Sequence, residues 1–233
     1  MAHRGLVEDI LGHVSLRLGG DRALLRCRGP HERGLRFTTP ADIRVVDLDG
    51  RVLDDPTGAY QPPSEAPIHT ETLRRRPDVH AVVHVHPPAI VVAALATVPL
   101  QPIFGSYDIP AARLAADGIP IHPRSVLIRR VDLAGEMLAS MGGAPVCVLA
   151  GHGLVATGPT VEDAMLRAIA VDRLARISLA VVQAGGELRP IPDADLAELP
   201  DLGASFNRDV LWRHHLAALA ADGGDLTDQE LAL

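Results

Sequence analysis

The stretch Ala81-Val82-Val83-His84-Val85-His86 decides how the rest of the chain is read. It is short, apolar and rich in β-branched residues, and Pro87-Pro88 ends it, so it reads as a buried strand over 80–86. Residues two apart on a strand face the same side, so His84 and His86 aim two imidazoles at one point. Burying them beside Val82, Val83 and Val85 costs free energy unless their ring nitrogens find partners. A divalent metal is one such partner, because neutral imidazole is a common ligand. Two hydrogen-bonded strand histidines fit the motif equally well, and H-x-H alone leaves the choice open.

Working outward, a helix is expected over 64–76, with Ser64 as N-cap and Pro77 as the stop. A short apolar helix follows the strand at 89–97. Upstream, strands are expected at 14–18, 23–27, 35–38 and 43–47, and Asp49-Gly50 is a hairpin signal before 51–53. Downstream come a strand at 124–128, a helix at 133–141 closed by Gly142-Gly143, and a buried strand at 145–150. Gly151-His152-Gly153 is a tight loop opening onto a strand at 154–157. Thr160 caps a long helix over 161–184, and one amphipathic helix is expected at 206–221. Irregular alternation with hairpin signals favours a mixed or antiparallel sheet over a doubly wound one. No domain boundary appears, which implies one domain over 1–233 with a helical tail from about 195.

Composition narrows the function. Hydrophobic residues make up 47% and aromatics only 3%, so the core must be aliphatic. The net charge of −7 and scattered cations argue against nucleic-acid binding. The two cysteines, Cys27 and Cys147, have no disulfide or C-x-x-C spacing. No apolar segment reaches the ~18 residues of a membrane span, and no signal-peptide pattern opens the chain, so a cytoplasmic protein is expected.

Two further residues bear on the histidine pair. His152 lies just past a buried strand, between glycines that let the backbone turn sharply. Glu65 opens the 64–76 helix, where an acid commonly serves the helix dipole. Three histidines and a carboxylate converging would form a site with room for substrate oxygens.

The segments P-P-S-E-A-P-I-H (62–69), R-P-D-V-H-A-V-V-H-V-H-P-P (76–88), L-A-G-H-G-L (149–154) and G-H-V-S-L-R (12–17) resemble the class II aldolase/adducin family in order and separation. The resemblance covers roughly residues 5 to 185. It implies a three-layer α/β/α fold around a mainly antiparallel central sheet, and a homotetramer with active sites at subunit interfaces. It assigns His84, His86 and His152 as metal ligands, and Glu65 as the carboxylate that ligates the metal or swings off it as acid or base. Adducin-type relatives, which are structural proteins, lack the metal histidines that this chain keeps.

Sugar-phosphate aldolases of the family hold phosphate with G-N-x-S, T-P-x-G and S-S before the Glu. Here those positions read Gly12-His13-Val14-Ser15, Thr39-Pro40-Ala41-Asp42 and Pro63-Ser64. His13 replaces Asn, Asp42 replaces Gly and Pro63 replaces Ser, and a carboxylate in a phosphate pocket would repel the dianion. G-H-V-S and I-P-I-H-P-R-S-V-L-I look more like the family's decarboxylase branch, which acts on hydroxylated aromatic or pyridine dicarboxylates. The expected function is therefore a metal-dependent decarboxylase of a small anionic aromatic acid, using Zn, Mn, Fe(II) or Co. An aldolase or epimerase, a non-haem iron oxygenase and a non-catalytic adducin-type module are the alternatives. His13 is the first candidate for the protonating acid, with Tyr107 a second. Arg17, Thr39, Ser64 and His122 are candidate substrate contacts, His122 reaching toward a neighbouring subunit. His69, four residues after Glu65, is a candidate outer partner.

Overall fold

The computed structural model describes residues 1–224. Its strands are β1 (His13–Leu18), β2 (Arg22–Arg26), β3 (Ile43–Asp47), β4 (Ala81–Val85), β5 (Ile121–His122), β6 (Val146–Leu149) and β7 (Gly153–Gly158). They form one seven-stranded sheet in the order β3-β2-β1-β4-β7-β6-β5, so the apolar histidine strand is central. Every pairing is antiparallel except the short β5–β6 pair. The helices are α1 (Ala66–Arg75), α2 (Pro88–Leu95), α3 (Ile109–Leu114), α4 (Val131–Met141), α5 (Val161–Gln183), α6 (Asp193–Glu198) and α7 (Leu211–Ala221).

The alternation of β4 separates two cores. Ala81, Val83 and Val85 pack with Ile90 and Ala93 of α2 and with Ala168, Val171 and Leu174 of α5. Val82 faces the other way, onto Ile68 and Leu73 of α1 and Met137 and Met141 of α4. All five β4 residues are fully buried. Each valine so enclosed contributes about 1.5–3 kcal/mol. The result is the expected three-layer α/β/α arrangement with an aliphatic core. His84 shares the Val82 side by strand alternation, and so lies toward α1 and α4.

Several local expectations are corrected. Residues 35–38 form no strand; Leu35–Phe37 is a 3₁₀ turn, closed by Phe37 N–H to Gly34 carbonyl and Thr38 N–H to Leu35 carbonyl bonds. Residues 124–128 also form no strand, because the Ile128 N–H is given to the Glu65 carboxylate instead of a ladder. The strand there is Ile121–His122, ended by Pro123. Ser64 does not cap α1; the N-cap position is Glu65, and Ser64 is exposed one residue earlier. The Asp49-Gly50 turn forms, but it is followed only by a Val46–Val52 bridge. Helix α3 was not anticipated, although Asp108 caps it through the Ala111 N–H at 3.0 Å, with Pro110 in its first turn. The tail helix begins as a π-helical turn, Ser205–Val210, before α7. Among the described residues no helix is long and apolar enough to cross a membrane. The stretch 225–233 of the expected single domain lies outside the described residues.

Helix α5 starts as the sequence implies, with the Thr160 hydroxyl accepting the Asp163 N–H at 3.1 Å and two acids in the first turn. Thr160→Ala is expected to cost about 1 kcal/mol of unfolding free energy. A urea titration checks this, with a lower midpoint and an unchanged slope.

Candidate metal centre

Three separate elements deliver the site. Strand β4 brings His84, and the chain just past it brings His86. The turn between β6 and β7 brings His152, and the N-terminus of α1 brings Glu65. The turn depends on glycine. Gly151 has φ +63°, and a Cβ at Gly153 would stand 2.3 Å from the Val85 carbonyl oxygen and 2.8 Å from His86 Cδ2. Only a residue without a side chain lets β7 run this close to His86.

The four side chains place their ligand atoms within 4.8 Å of one another. His84 Nδ1 lies 3.0 Å from the Leu154 carbonyl oxygen, which can only accept, so the ring proton sits on Nδ1 and Nε2 is a lone pair. That lone pair faces His86 Nε2 at 2.8 Å and Glu65 Oε2 at 3.3 Å. Glu65 Oε2 is also 3.4 Å from His152 Nε2, while Oε1 accepts the Ile128 N–H at 2.9 Å.

Burial alone would raise the Glu65 pKa, but the neighbouring His152 and His84 outweigh it and hold the carboxyl well below the usual range. Burial, followed by His84 and His152, pushes the His86 pKa down to about 3. A carboxylate and neutral imidazoles facing one another at these distances repel unless a cation lies between them. A tetrahedral ion with bonds of about 2.05 Å spaces its ligand atoms about 3.3 Å apart, and the two Glu65–histidine separations match that spacing. The donor set therefore fits a divalent ion. Nitrogen and oxygen donors without sulfur suit Zn, Mn, Fe or Co alike.

His13 stands directly opposite His84 in the β1–β4 ladder, with ring centroids 5.0 Å apart. Its Nδ1 is 2.7 Å from His69 Nε2, and His69 Nδ1 is 2.7 Å from Ser15 Oγ. Burial, then His69 and His84, lowers the His13 pKa well below its ordinary value, which argues against His13 as the protonating acid. His69 is lowered to about 3, mainly by burial.

The remaining candidates separate. Tyr107 is exposed and edge-on to Phe104, which packs into the core on the α5 side of the sheet, so it does not join the histidine cluster. Arg17 is corrected to a structural role. Its guanidinium donates to the Val79 carbonyl at 3.0 Å, the Arg76 carbonyl at 3.1 Å and the Leu73 carbonyl, tying the end of α1 to the entry of β4. Those bonds use the fork that a substrate carboxylate would need.

Thr39 gives its N–H and hydroxyl to Asp42 Oδ2, at 2.7 and 2.9 Å. Asp42 therefore closes its own turn instead of projecting as a free anion, and Thr39 is not offered to substrate. Ser64 is exposed beside Glu65. His122 is buried within its own chain, with Nδ1 3.0 Å from Ser140 Oγ on α4, and is not exposed toward a neighbouring subunit. Sequence reasoning missed Ser15, although it lies two residues from His13 on one strand face. It also missed the Leu154 carbonyl and the Ile128 N–H, backbone groups that no residue type announces.

The chain belongs to the class II aldolase and adducin family: the model for the Class II Aldolase and Adducin N-terminal domain matches residues 1–179. It is 56% identical over 223 residues to a 3,4-dihydroxyphthalate decarboxylase of Arthrobacter keyseri, spanning 95% of this chain and 90% of that protein. It is 52% identical to a protein of the same name from Terrabacter sp., spanning 94% and 92%. Its fold resembles an aldolase II superfamily protein from Pseudomonas syringae, with TM-score 0.79 and 23% identity over 96% of this chain and 91% of that one. It also resembles an L-fuculose 1-phosphate aldolase from Glaciozyma antarctica, with TM-score 0.74 and 18% identity over 97% and 87%.

His84→Ala and His152→Ala are expected to abolish stoichiometric metal binding, checked by metal analysis after gel filtration. Gly153→Ala should weaken that binding by displacing His86. Arg17→Ala should instead lower stability by about 2 kcal/mol while the folded enzyme keeps its metal and its KM. A large rise in KM would return Arg17 to the substrate.

Proposed function

We propose that this protein is a metal-dependent lyase that decarboxylates a hydroxylated aromatic dicarboxylate of the 3,4-dihydroxyphthalate type. The observation that carries this reading is the convergence of Glu65, His84, His86 and His152. It occurs in a chain 48–56% identical, over almost its whole length, to three proteins named for that reaction.

The residues fit the chemistry. A divalent ion held by the four side chains would supply Lewis acidity to an oxygen on which negative charge builds as the carbon–carbon bond breaks. In such a substrate a ring hydroxyl lies next to the departing carboxylate, so both oxygens can approach one centre. Glu65 remains ionised, held through Oε1 by the Ile128 N–H, and acts as a ligand and not as an acid. The His84 Nδ1–H bond to Leu154 fixes the tautomer that points Nε2 inward and raises its basicity. His13, next to His84 on the same side of the sheet, would contact the substrate oxygen. The bond to the carboxylate breaks, its electron pair stays on the ring carbon, carbon dioxide leaves, and that carbon takes a proton from water in its place.

Sugar-phosphate cleavage remains the disfavoured alternative, now resting on His13 and Pro63, since Asp42 is occupied by Thr39. A homotetramer is part of the proposal, and exposed Val92, Leu95, Leu127 and Val131 provide apolar surface for it.

The purified, metal-loaded protein is expected to release carbon dioxide from 3,4-dihydroxyphthalate and leave a dihydroxybenzoate, with no aldehyde from ketose 1-phosphates. Loss of activity on chelation and recovery on adding Zn, Mn, Fe(II) or Co should accompany it. Aldehyde from a sugar phosphate, with aromatic acids untouched, would overturn the reading.

A further inference from the structure

Three buried polar side chains behind the metal group form a line of which the mechanism above uses only His13. Ser15 and His13 lie two apart on β1, and His69 of α1 sits against both. Their exposures are 2%, 7% and 1%, so water does not satisfy the inner members. His69 spends both ring nitrogens, Nδ1 on Ser15 Oγ and Nε2 on His13 Nδ1, each at 2.7 Å. No carboxylate hydrogen-bonds to any of the three among the described residues.

The direction of this line follows from satisfying donors. The Ser15 hydroxyl has no hydrogen-bond partner other than His69 among the described residues. A buried O–H without an acceptor costs more than an oxygen with a spare lone pair. Ser15 therefore donates to His69 Nδ1. A neutral His69 with an accepting Nδ1 carries its proton on Nε2 and donates it to His13 Nδ1. A neutral His13 with an accepting Nδ1 likewise carries its proton on Nε2. The opposite direction would strand the serine proton and leave a lone pair on His13 Nε2.

We propose that Ser15 and His69 are positioning residues that lock His13 as its Nε2–H tautomer, so that a neutral hydrogen-bond donor faces the substrate oxygen beside the metal group. An uncharged donor suits this place. An imidazolium next to His84 would be repelled by the bound cation, and a lone pair would repel an anionic oxygen. The donor selects a substrate with negative oxygen at that point and strengthens as charge develops during bond breaking. This use of the N–H rests on the decarboxylase reading; the tautomer itself does not.

The test is long-range nitrogen–proton NMR of zinc-loaded, ¹⁵N-histidine-labelled protein, with kinetics on 3,4-dihydroxyphthalate. His13 and His69 should both show unprotonated Nδ1 and protonated Nε2. Ser15→Ala should break that uniform pattern and lower kcat up to about tenfold, with KM little changed. His69→Leu should lower kcat about a hundredfold. His69→Gln, whose amide N–H can still donate to His13 Nδ1, should recover much of that loss. A His13 protonated on Nδ1 in the wild type or in His69→Gln, or a pattern unchanged in Ser15→Ala, would overturn the assignment. Should His69→Leu fail to fold, the other two variants decide it. Absence of carbon dioxide release by the wild type would sink the decarboxylase reading and leave the spectra as the test of the tautomer.

Discussion

Four electron-pair donors pointing at one small volume are the constraint on which this structure turns. His84, His86 and His152 present Nε2, Glu65 presents Oε2, and the four atoms lie within 4.8 Å of one another, with the His84–His86, His84–Glu65 and His152–Glu65 pairs at 2.8, 3.3 and 3.4 Å. In a low-dielectric interior such a cluster is unstable by itself, and a divalent cation removes the conflict by turning mutual repulsion into shared attraction. Metal binding by these donors would therefore be coupled to local folding, and affinity should depend on how well the surrounding shell holds each donor.

The architecture supplies that shell with rigid elements. Histidine at the end of a fully buried central strand has little freedom, and its Nδ1 is fixed by the neighbouring strand's carbonyl at Leu154. Glu65 sits where α1 begins, and its free oxygen is held by a loop N–H, so the carboxylate is oriented from both ends. Close approach of β7 at Gly153 completes the set. Behind it, the Ser15–His69–His13 line links β1 to α1 and carries the order of the core to the edge of the reaction site.

Much of this was legible in the residues. The AVVHVH run declares both a buried strand and a shared face for its histidines, because strand alternation is strict. The metal set could be assembled from three short segments whose order and spacing match a family. The sheet as a whole was legible as antiparallel-rich because turns punctuate it so often. What failed was local and had physical causes. Residues 124–128 look like a strand, yet the Ile128 N–H serves Glu65, a tertiary demand that overrides propensity. Arg17 looked available to substrate because sequence shows a guanidinium but not the three backbone carbonyls around it. His122 and Thr39 misled for the same reason. The roles of Leu154 and Ile128 are backbone roles, which leave no trace in residue type.

The most direct test of the account is X-ray absorption spectroscopy of the zinc-loaded protein. Three imidazole nitrogens and one carboxylate oxygen at about 2.0–2.1 Å are predicted in the first shell, with any additional ligand an exchangeable oxygen. His86→Ala should lower the imidazole count to two. A shell with fewer than three imidazoles in the wild type, or one containing sulfur, would contradict it.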